Sequence, residues 1–347
     1  MKTTAPKQSI QSDTANRLRN YGVFSDSTIN FIAAFADTQR KYKTYQEVFE
    51  AANIPEPTLY RTKNGRGVPV VDIAAVKPNT KGTIVMHLPM ANSLDPNQLF
   101  QVATIAATNP AYRIIAFGNP NAAPFFYPEQ NLSFIDRLKI AFTKNNQALV
   151  AAELDYLHNH SVQNIYHLGY SYGALKAATE SLYSKTGTLK GIILVDPVAR
   201  PRPVFTLLRD FQATMQPMDE YVNRTKLQTF VDARAAAVQF YKGSAGLRRQ
   251  INIAIGFMLA RTDFISILQK VLQKHSAISV AVAWGSQSEL GDDNYMKRAL
   301  SSCGNQQGLV KQIRLSGDKH ALANDVHLHA AIVHEALLKT AAVDKKT

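Results

Sequence analysis

The chain has 347 residues, of which 46% are apolar and 19% are charged, a composition that excludes a disordered or fibrous protein and allows a large buried core. Its formal net charge of +13 favours anionic partners, but the basic residues are spread along the chain and form no recognisable nucleic-acid module. The most apolar segment, residues 251–259, is too short to span a bilayer, and no apolar core follows the basic start of the chain. We therefore predict a cytoplasmic protein without a membrane span or dedicated nucleic-acid binding.

Residues 1–57 are predicted to form a helical arm. Apolar residues recur at helical spacing over 29–35, behind capping residues at 25–27, and residues 44–47 have the spacing of a capping box. Two prolines, Pro55 and Pro57, end this region. We expect the apolar stripe to be a packing face, with an oligomer contact as the alternative.

A β-hairpin is predicted directly after the arm. Two strand-like runs, residues 59–63 and 68–76, flank an Asn64-Gly65 pair, which is typical of tight hairpin turns. Because proline has no backbone N–H, Pro69 is expected near a sheet edge or near the start of its strand.

Strands then alternate with helices, a pattern that predicts a mostly parallel sheet in an α/β fold with helices on both faces. Several of the strand-like runs are apolar throughout, as in strands that are buried on both sides. Helices are predicted at residues 97–108, 135–158 and 324–338. The predicted strands are residues 83–88, 112–117, 164–168, 191–195, 277–284 and 310–315.

A long insert without any strand pattern separates two of these strands, between Asp196 and Ala277. It is too long for a loop inside an α/β core, and residues 203–214, 218–241 and 247–271 have helical character. We predict that the insert forms a helical cap placed before the last two strands.

The motif that points to chemistry is Gly169-Tyr170-Ser171-Tyr172-Gly173, which lies between a predicted strand and a predicted helix. A serine on a sharp strand-to-helix turn has a strained backbone that lies close to its neighbours, so both flanking positions favour glycine. The motif alone is unspecific, but this context is the one that a nucleophile elbow requires. We interpret Ser171 as a nucleophile.

With these elements in this order, the chain resembles the α/β-hydrolases, in the form that carries a helical cap, from residue 58 to its end. The resemblance implies an α/β-hydrolase fold and a catalytic triad in the chain order nucleophile, acid, histidine. It also implies the following division of the chain: an N-terminal helical arm (1–57), a first part of the core (58–199), a cap (200–275) and a second part of the core (276–347).

The base that the resemblance implies is His320, in a turn after the last predicted strand and ahead of the final helix. Other histidines have simpler explanations: His158 lies at a helix end, and His327, His329 and His334 lie within the last helix as surface or packing residues. No metal site is predicted, because His327 and His329 do not share a helix face.

The sequence leaves several carboxylates as candidates for the acid of the triad. Glu289 is the first choice, since Ser288-Glu289 resembles a Ser-Asp variant found a few residues beyond a glycine after the strand before the last. The alternative is Asp196, which follows the preceding strand, where a minority of the family carries the acid. Asp292 and Asp293 are further candidates that are explained more simply as turn residues.

The oxyanion hole implied by the resemblance uses the backbone N–H of Tyr172 and a donor from the loop after the third strand. That loop has His87 but lacks the glycine that usually follows, and Pro89 has no N–H to donate. The second donor must therefore be Leu88, Met90 or a side chain, and Leu88 is our first choice.

These features predict a serine hydrolase that acts on an ester or another acyl compound with an apolar part, and no cofactor is implied. Two alternatives remain open from the sequence. One is an acyltransferase that uses the same triad, and the other is a catalytically inactive hydrolase fold that acts as a binding or structural module. The oligomeric state is not predicted.

Overall fold

The protein is described from a computed structural model, which describes residues 10–90, 92–119, 134–143, 147–185, 187–240, 255–275, 278–301, 303 and 310–343. Its centre is one sheet of eight strands in the order β1-β2-β4-β3-β5-β6-β7-β8. The strands are β1 (Thr58–Arg61), β2 (Gly67–Ile73), β3 (Gly82–His87), β4 (Tyr112–Phe117), β5 (Ile165–Tyr170), β6 (Leu189–Val195), β7 (Ser279–Gly285) and β8 (Val310–Leu315).

Helices precede the sheet, connect its strands and end the chain. None of those that the structure describes is long and apolar enough to cross a membrane. They are α1 (Ile10–Tyr21), α2 (Asp26–Gln39), α3 (Tyr45–Ala51), α4 (Pro96–Thr108), α5 (Phe134–Thr143), α6 (Gln147–Asn159), α7 (Tyr172–Tyr183), α8 (Val204–Met215), α9 (Met218–Arg224), α10 (Gln228–Phe240), α11 (Phe264–Lys274), α12 (Asp293–Ser301), a 3-10 helix (His320–Asn324) and α13 (Val326–Val343).

The sheet is parallel from β3 to β8, and the predicted hairpin forms its antiparallel end. The turn around Asn64-Gly65 joins β1 to β2, with Gly65 at φ +76. Pro69 pairs with Leu59 of β1, whereas the pairing of β2 with β4 begins only at Val70. Pro69 therefore lies near the strand start, where its missing N–H breaks no ladder with β4.

The central strands are buried on both faces because helices cover both sides of the sheet. Successive residues of β3 show this: Ile84 packs into one apolar cluster with Ile105 of α4, and Val85 packs into another with Ala177 of α7. Both side chains are fully buried. Since neighbouring residues of a strand face opposite sides, such all-apolar runs mark strands of a covered parallel sheet, as predicted.

The long insert between β6 and β7 is helical, and the described part of it contains no strand. It holds α8, α9, α10 and α11, while residues 241–254, and with them the first part of the predicted run 247–271, lie outside the described residues. That run is not one helix, because a break precedes Phe264 and α11 starts there, with the Asp263 side chain accepting a hydrogen bond from the Ile265 N–H. The division into arm, core and cap remains a prediction.

The arm packs onto the last helix. Ser25 caps α2 and donates hydrogen bonds from its N–H and its hydroxyl to the Glu335 carboxylate, at 3.0 and 2.7 Å. Thr28 adds a third hydrogen bond at 2.7 Å, and Arg17 of α1 pairs with the buried Asp325. The arm is therefore joined to the half of the molecule that carries His320.

Candidate active site

Ser171 lies on a sharp turn between β5 and α7, as the motif predicts. Its backbone has φ 57 and ψ −121, a conformation that is rare for a residue with a side chain. A Cβ atom on Gly169 would lie 2.1 Å from the carbonyl oxygen of Gly173, and one on Gly173 would lie 2.1 Å from the carbonyl oxygen of His87. Both glycines are therefore required by close backbone contacts around the serine.

His320 lies directly against the serine. Its Nε2 atom is 2.7 Å from Ser171 Oγ, although 149 positions separate the two residues in the chain. The loop after β8 brings it there, and β7 supports this loop: a Cβ atom on Gly285 would lie 2.3 Å from the Asp318 carbonyl oxygen. The structure thus places Ser171 and His320 at the distance that proton transfer requires.

The carboxylate that reaches the imidazole is that of Asp196, with Oδ2 2.9 Å from His320 Nδ1. Glu289, the first choice from the sequence, accepts a hydrogen bond from the backbone N–H of His320 at 3.4 Å instead. The reason lies in the strand order, since Asp196 directly follows β6, the strand beside β5. Glu289 follows β7, which lies one strand further from Ser171.

The two other carboxylates considered from the sequence pair elsewhere. Asp292 forms an ion pair with Arg200 at 2.9 Å. Asp293 accepts hydrogen bonds from Arg314 and from the Trp284 indole, and the pKa of its carboxyl is lowered mainly by Arg314. Both carboxylates are half-buried and form ion pairs with arginines, whereas the sequence suggested exposed turn residues.

Asp196 is fully buried at a tight turn with φ 43. Burial raises the pKa of its carboxyl, while the neighbouring His320 opposes that rise. A Cβ atom on Gly291 would lie 2.6 Å from Asp196 Oδ1, so the chain around the acid leaves room only for glycine there. A buried carboxylate in this position interacts strongly with the imidazole, since burial removes the screening by water.

Two tyrosines hold the histidine loop, and sequence reasoning missed both. The Tyr170 hydroxyl donates to the His320 carbonyl oxygen at 2.7 Å, and its ring stacks on the imidazole with centroids 5.4 Å apart. From α9, the Tyr221 hydroxyl accepts the Lys319 N–H at 2.8 Å and donates to Asp318 Oδ1 at 3.1 Å. The position of Tyr170 next to Ser171 could have drawn attention to it, whereas nothing in the sequence indicates a role for Tyr221.

The residues predicted to supply the oxyanion donors lie on the turn after Ser171 and on the loop that contacts this turn. Tyr172 is the first residue of α7, where backbone N–H groups have no acceptor within the helix. The loop that carries Leu88 is in close contact with the same turn: a Cβ atom on Gly173 would lie 2.9 Å from the Leu88 carbonyl oxygen. Leu88 is buried, and Asn92 N–H closes a turn onto the Pro89 carbonyl oxygen at 3.2 Å.

A second group of polar side chains lies buried behind the loop and α7. His87 Nδ1 lies 3.2 Å from Glu153, and its Nε2 lies 3.1 Å from His167 Nδ1 and 3.2 Å from Glu180. Lys176 of α7 pairs with Glu153. Sequence reasoning missed this group, although Lys176 and Glu180 are charged residues in an otherwise apolar stretch of the elbow helix.

His87, His167 and Glu180 are also the described residues that could hold a metal ion, since their ligand atoms lie within 4.8 Å of one another. Without a metal ion, Lys176 offsets Glu153, and burial together with the nearby Glu153 raises the pKa of Glu180 well above its ordinary value. Burial also lowers the pKa values of His87 and His167. We interpret the group as a buried cluster of close polar contacts in which Glu180 retains a proton.

Comparison with known proteins identifies the fold. No family model and no curated protein matches the sequence. The structure is similar to a bromoperoxidase from Bacillus anthracis (TM-score 0.53, 16% identity, covering 83% of this chain and 100% of that chain). It is also similar to an esterase from Exiguobacterium antarcticum (TM-score 0.55, 12% identity, 81% and 98%) and to naproxen esterase from Bacillus subtilis (TM-score 0.51, 14% identity, 86% and 96%).

Identities this low show a shared fold and leave activity to be argued from the site. The alignments cover most of this chain, and its mostly parallel sheet of eight strands with helices around it matches the fold of these neighbours. The chain therefore has the α/β-hydrolase fold.

Proposed function

We propose that this protein is a serine hydrolase that cleaves an ester or another acyl compound through an acyl-enzyme intermediate. The observation that carries the proposal is the continuous hydrogen-bonded chain from Ser171 Oγ through the His320 ring to Asp196, at 2.7 and 2.9 Å. A nucleophile, a base and a group that orients the base are the parts that this chemistry needs.

In the proposed reaction, Ser171 Oγ attacks the acyl carbonyl carbon while His320 Nε2 takes the hydroxyl proton. Asp196 keeps the Nδ1 proton in place and stabilises the imidazolium that forms. The oxyanion would accept hydrogen bonds from Tyr172 N–H and from the loop amide of Leu88 or Met90. His320 then gives its proton to the leaving group, and water, activated by the same imidazole, releases the acid and restores Ser171.

An apolar acyl group is supported by the surroundings of the serine. Tyr172 and Leu175, in the first turn of α7, belong to one buried apolar cluster with Leu207 of α8 and with Met258 and Leu259. Helices of the long insert thus supply apolar side chains next to the nucleophile. All five side chains are buried against one another. They make the region next to the nucleophile apolar, which is why we propose a substrate with an apolar part.

The test is covalent labelling with a fluorophosphonate probe, followed by hydrolysis of p-nitrophenyl esters of increasing chain length. Wild-type protein should be labelled stoichiometrically, and Ser171→Ala should not be labelled. His320→Ala should abolish labelling, whereas His158→Ala, at an exposed helix end, should leave it unchanged. Wild-type protein that is folded but unlabelled at pH values where a histidine base is neutral would refute the hydrolase proposal and favour an inactive fold.

A separate arm distinguishes hydrolysis from acyl transfer, because the same triad can serve both. The ester is supplied with an added alcohol or thiol, and the products are separated. Free acid as the main product supports hydrolysis, whereas a new ester or thioester that dominates in the presence of water contradicts it.

A further inference from the structure

The loop that should supply the second oxyanion donor is held by a side chain from a neighbouring strand. Asn119, which follows β4 by two residues, is buried, and its Nδ2 donates to the carbonyl oxygens of Leu88 at 3.2 Å and Pro89 at 2.6 Å. Its backbone N–H also donates to Asn92 at 3.3 Å. One asparagine thus fixes both ends of the turn.

These contacts set the direction of a backbone amide. In a planar trans peptide the C=O and the N–H point in opposite directions. Because Asn119 holds the Pro89 carbonyl oxygen, the N–H of the Pro89–Met90 peptide must point away from Asn119. This N–H matters because Pro89 itself has none to offer.

Lys176 determines which way the Asn119 amide faces. Its ammonium donates to Asn119 Oδ1 at 3.1 Å, and an ammonium can only donate, so the NH₂ group must face the loop. Lys176 is itself buried and paired with Glu153, which also faces His87, the residue before the loop. The buried network therefore joins the nucleophile's helix to the oxyanion loop.

We propose that Asn119, oriented by Lys176, is a positioning residue that aims the Met90 amide as the second oxyanion donor. This inference rests on the proposed function, since an oxyanion hole has a role only if Ser171 forms a tetrahedral intermediate. It explains how the loop works without the usual glycine, and why a lysine is buried on the helix that begins at the nucleophile.

The test replaces Asn119 by aspartate, which has the same shape and still accepts from Lys176 but cannot donate to the two carbonyl oxygens. We expect kcat for p-nitrophenyl butyrate to fall by about 10- to 100-fold, as for a misplaced group and less than the roughly 100- to 1000-fold cost of a lost oxyanion donor, while KM changes little. The inhibition constant of benzeneboronic acid, which forms a tetrahedral anion on a serine, should rise by a similar factor. The pH profile, which reports His320, should not move.

The matched control is Asn109→Asp. Asn109 is also buried and donates to a backbone carbonyl, that of Ile105 at 2.9 Å, but at the far end of α4. It should leave kcat and the boronate constant within about two-fold of wild type, since it touches no group in the reaction. Equal losses in the two variants would reduce the effect to general destabilisation and overturn the proposal.

Hydrogen exchange measured by mass spectrometry separates this inference from the proposed function. Asn119→Asp should speed exchange in the peptide that covers residues 84–94 and leave β6 unchanged. Faster exchange with unchanged kcat in an active enzyme rejects the catalytic role of Asn119. A wild-type protein that is unlabelled and inactive rejects the proposed function and, with it, the role of Asn119. If hydrogen exchange in residues 84–94 is unchanged in Asn119→Asp, Asn119 does not hold the loop.

Discussion

His320 Nδ1 lies 2.9 Å from Asp196 Oδ2, and this contact distinguishes the two acids that the sequence left open. Asp196→Asn keeps the shape but replaces an acceptor with an amide that disturbs the tautomer of the imidazole. We expect kcat to fall by about 10,000-fold, as when the acid of a serine triad becomes an amide. Glu289→Gln, which removes a carboxylate bonded to the His320 backbone, should cost less than about 10-fold. Rates of ester hydrolysis by both purified variants decide which carboxylate is the acid. A larger loss in Glu289→Gln than in Asp196→Asn would contradict the assignment of Asp196.

The strained backbone at Ser171 should lower the free energy of unfolding of the protein. At φ 57 and ψ −121 a residue with a Cβ is strained, so Ser171→Gly should be more stable than Ser171→Ala by about 1 kcal/mol. At the exposed helical Ser27, glycine should instead be less stable than alanine by about 0.5–1 kcal/mol. Urea denaturation of the four variants tests this reversal of sign. The same sign at both sites would show that the elbow carries no strain.

The loop that carries His320 is fixed from α9, so a residue of the long insert should influence catalysis without touching substrate. Tyr221→Phe removes the hydroxyl that accepts Lys319 N–H and donates to Asp318. We expect kcat to fall by roughly 5- to 10-fold with little change in KM, because a loosely held base spends less time aligned with Ser171. Kinetics over a range of ester concentrations separate the two constants. A rise in KM at constant kcat would instead assign Tyr221 to substrate binding.

Local patterns were sufficient to predict most of the fold. The apolar runs that became β3 to β8 are continuous because helices cover both sheet faces, and the Asn64-Gly65 hairpin follows from turn chemistry alone. The sharp turn at Ser171 could be predicted because the motif has glycine at positions 169 and 173. A Cβ atom at either position would lie only 2.1 Å from a backbone carbonyl oxygen. His320, the predicted base, lies 2.7 Å from Ser171 Oγ, and its role stays a prediction.

What the sequence could not supply is the set of distances between strands. The choice between Asp196 and Glu289 depends on which strand lies beside β5, and family resemblance favoured the more common position. Asn119, Lys176 and Glu153 come from three separate elements, so no local pattern joins them. Break points inside the insert were also missed, since the helical period continues across Asp263, where a side-chain cap starts a new helix.

The buried Glu180 should make stability depend on pH in an unusual direction. Its folded pKa is raised by burial and by Glu153, so the folded state keeps a proton that the unfolded chain releases above about pH 4.3. Wild-type stability is therefore lost as the pH rises from there towards the folded pKa. Glu180→Gln stays neutral, so its stability relative to wild type should increase with pH, by at most about 1.4 kcal/mol per pH unit.

Urea denaturation of both proteins between about pH 5 and pH 8 measures this difference, which belongs to Glu180 together with the histidines that lie against it. The zinc content of the protein tests the alternative that His87, His167 and Glu180 bind a metal ion. A protein refolded with excess zinc and then dialysed should retain less than one equivalent. Stoichiometric zinc that is lost in Glu180→Gln, with a fall in stability, would assign a metal site to His87, His167 and Glu180.

Glu335 should show the opposite pH dependence. Burial alone would raise its pKa, but hydrogen bonds from Ser25, Thr28 and Lys311 outweigh burial and lower the pKa to about 2. The stabilisation is therefore present above the unfolded pKa, about 4.3, and is lost as the pH falls towards about 2. At pH 7, Glu335→Gln should be less stable than wild type by about 1–3 kcal/mol, and the difference should shrink below about pH 4.

The measurement is urea denaturation at neutral and acidic pH, with Glu56→Gln as the control, since Glu56 is an exposed glutamate. The control should stay within about 0.5 kcal/mol of wild type at each pH. Because Glu335 joins the cap of α2 to α13, its loss should also expose the arm to limited proteolysis before the core unfolds. A constant difference between Glu335→Gln and wild type at all pH values would show that Glu335 contributes by packing and not by its charge.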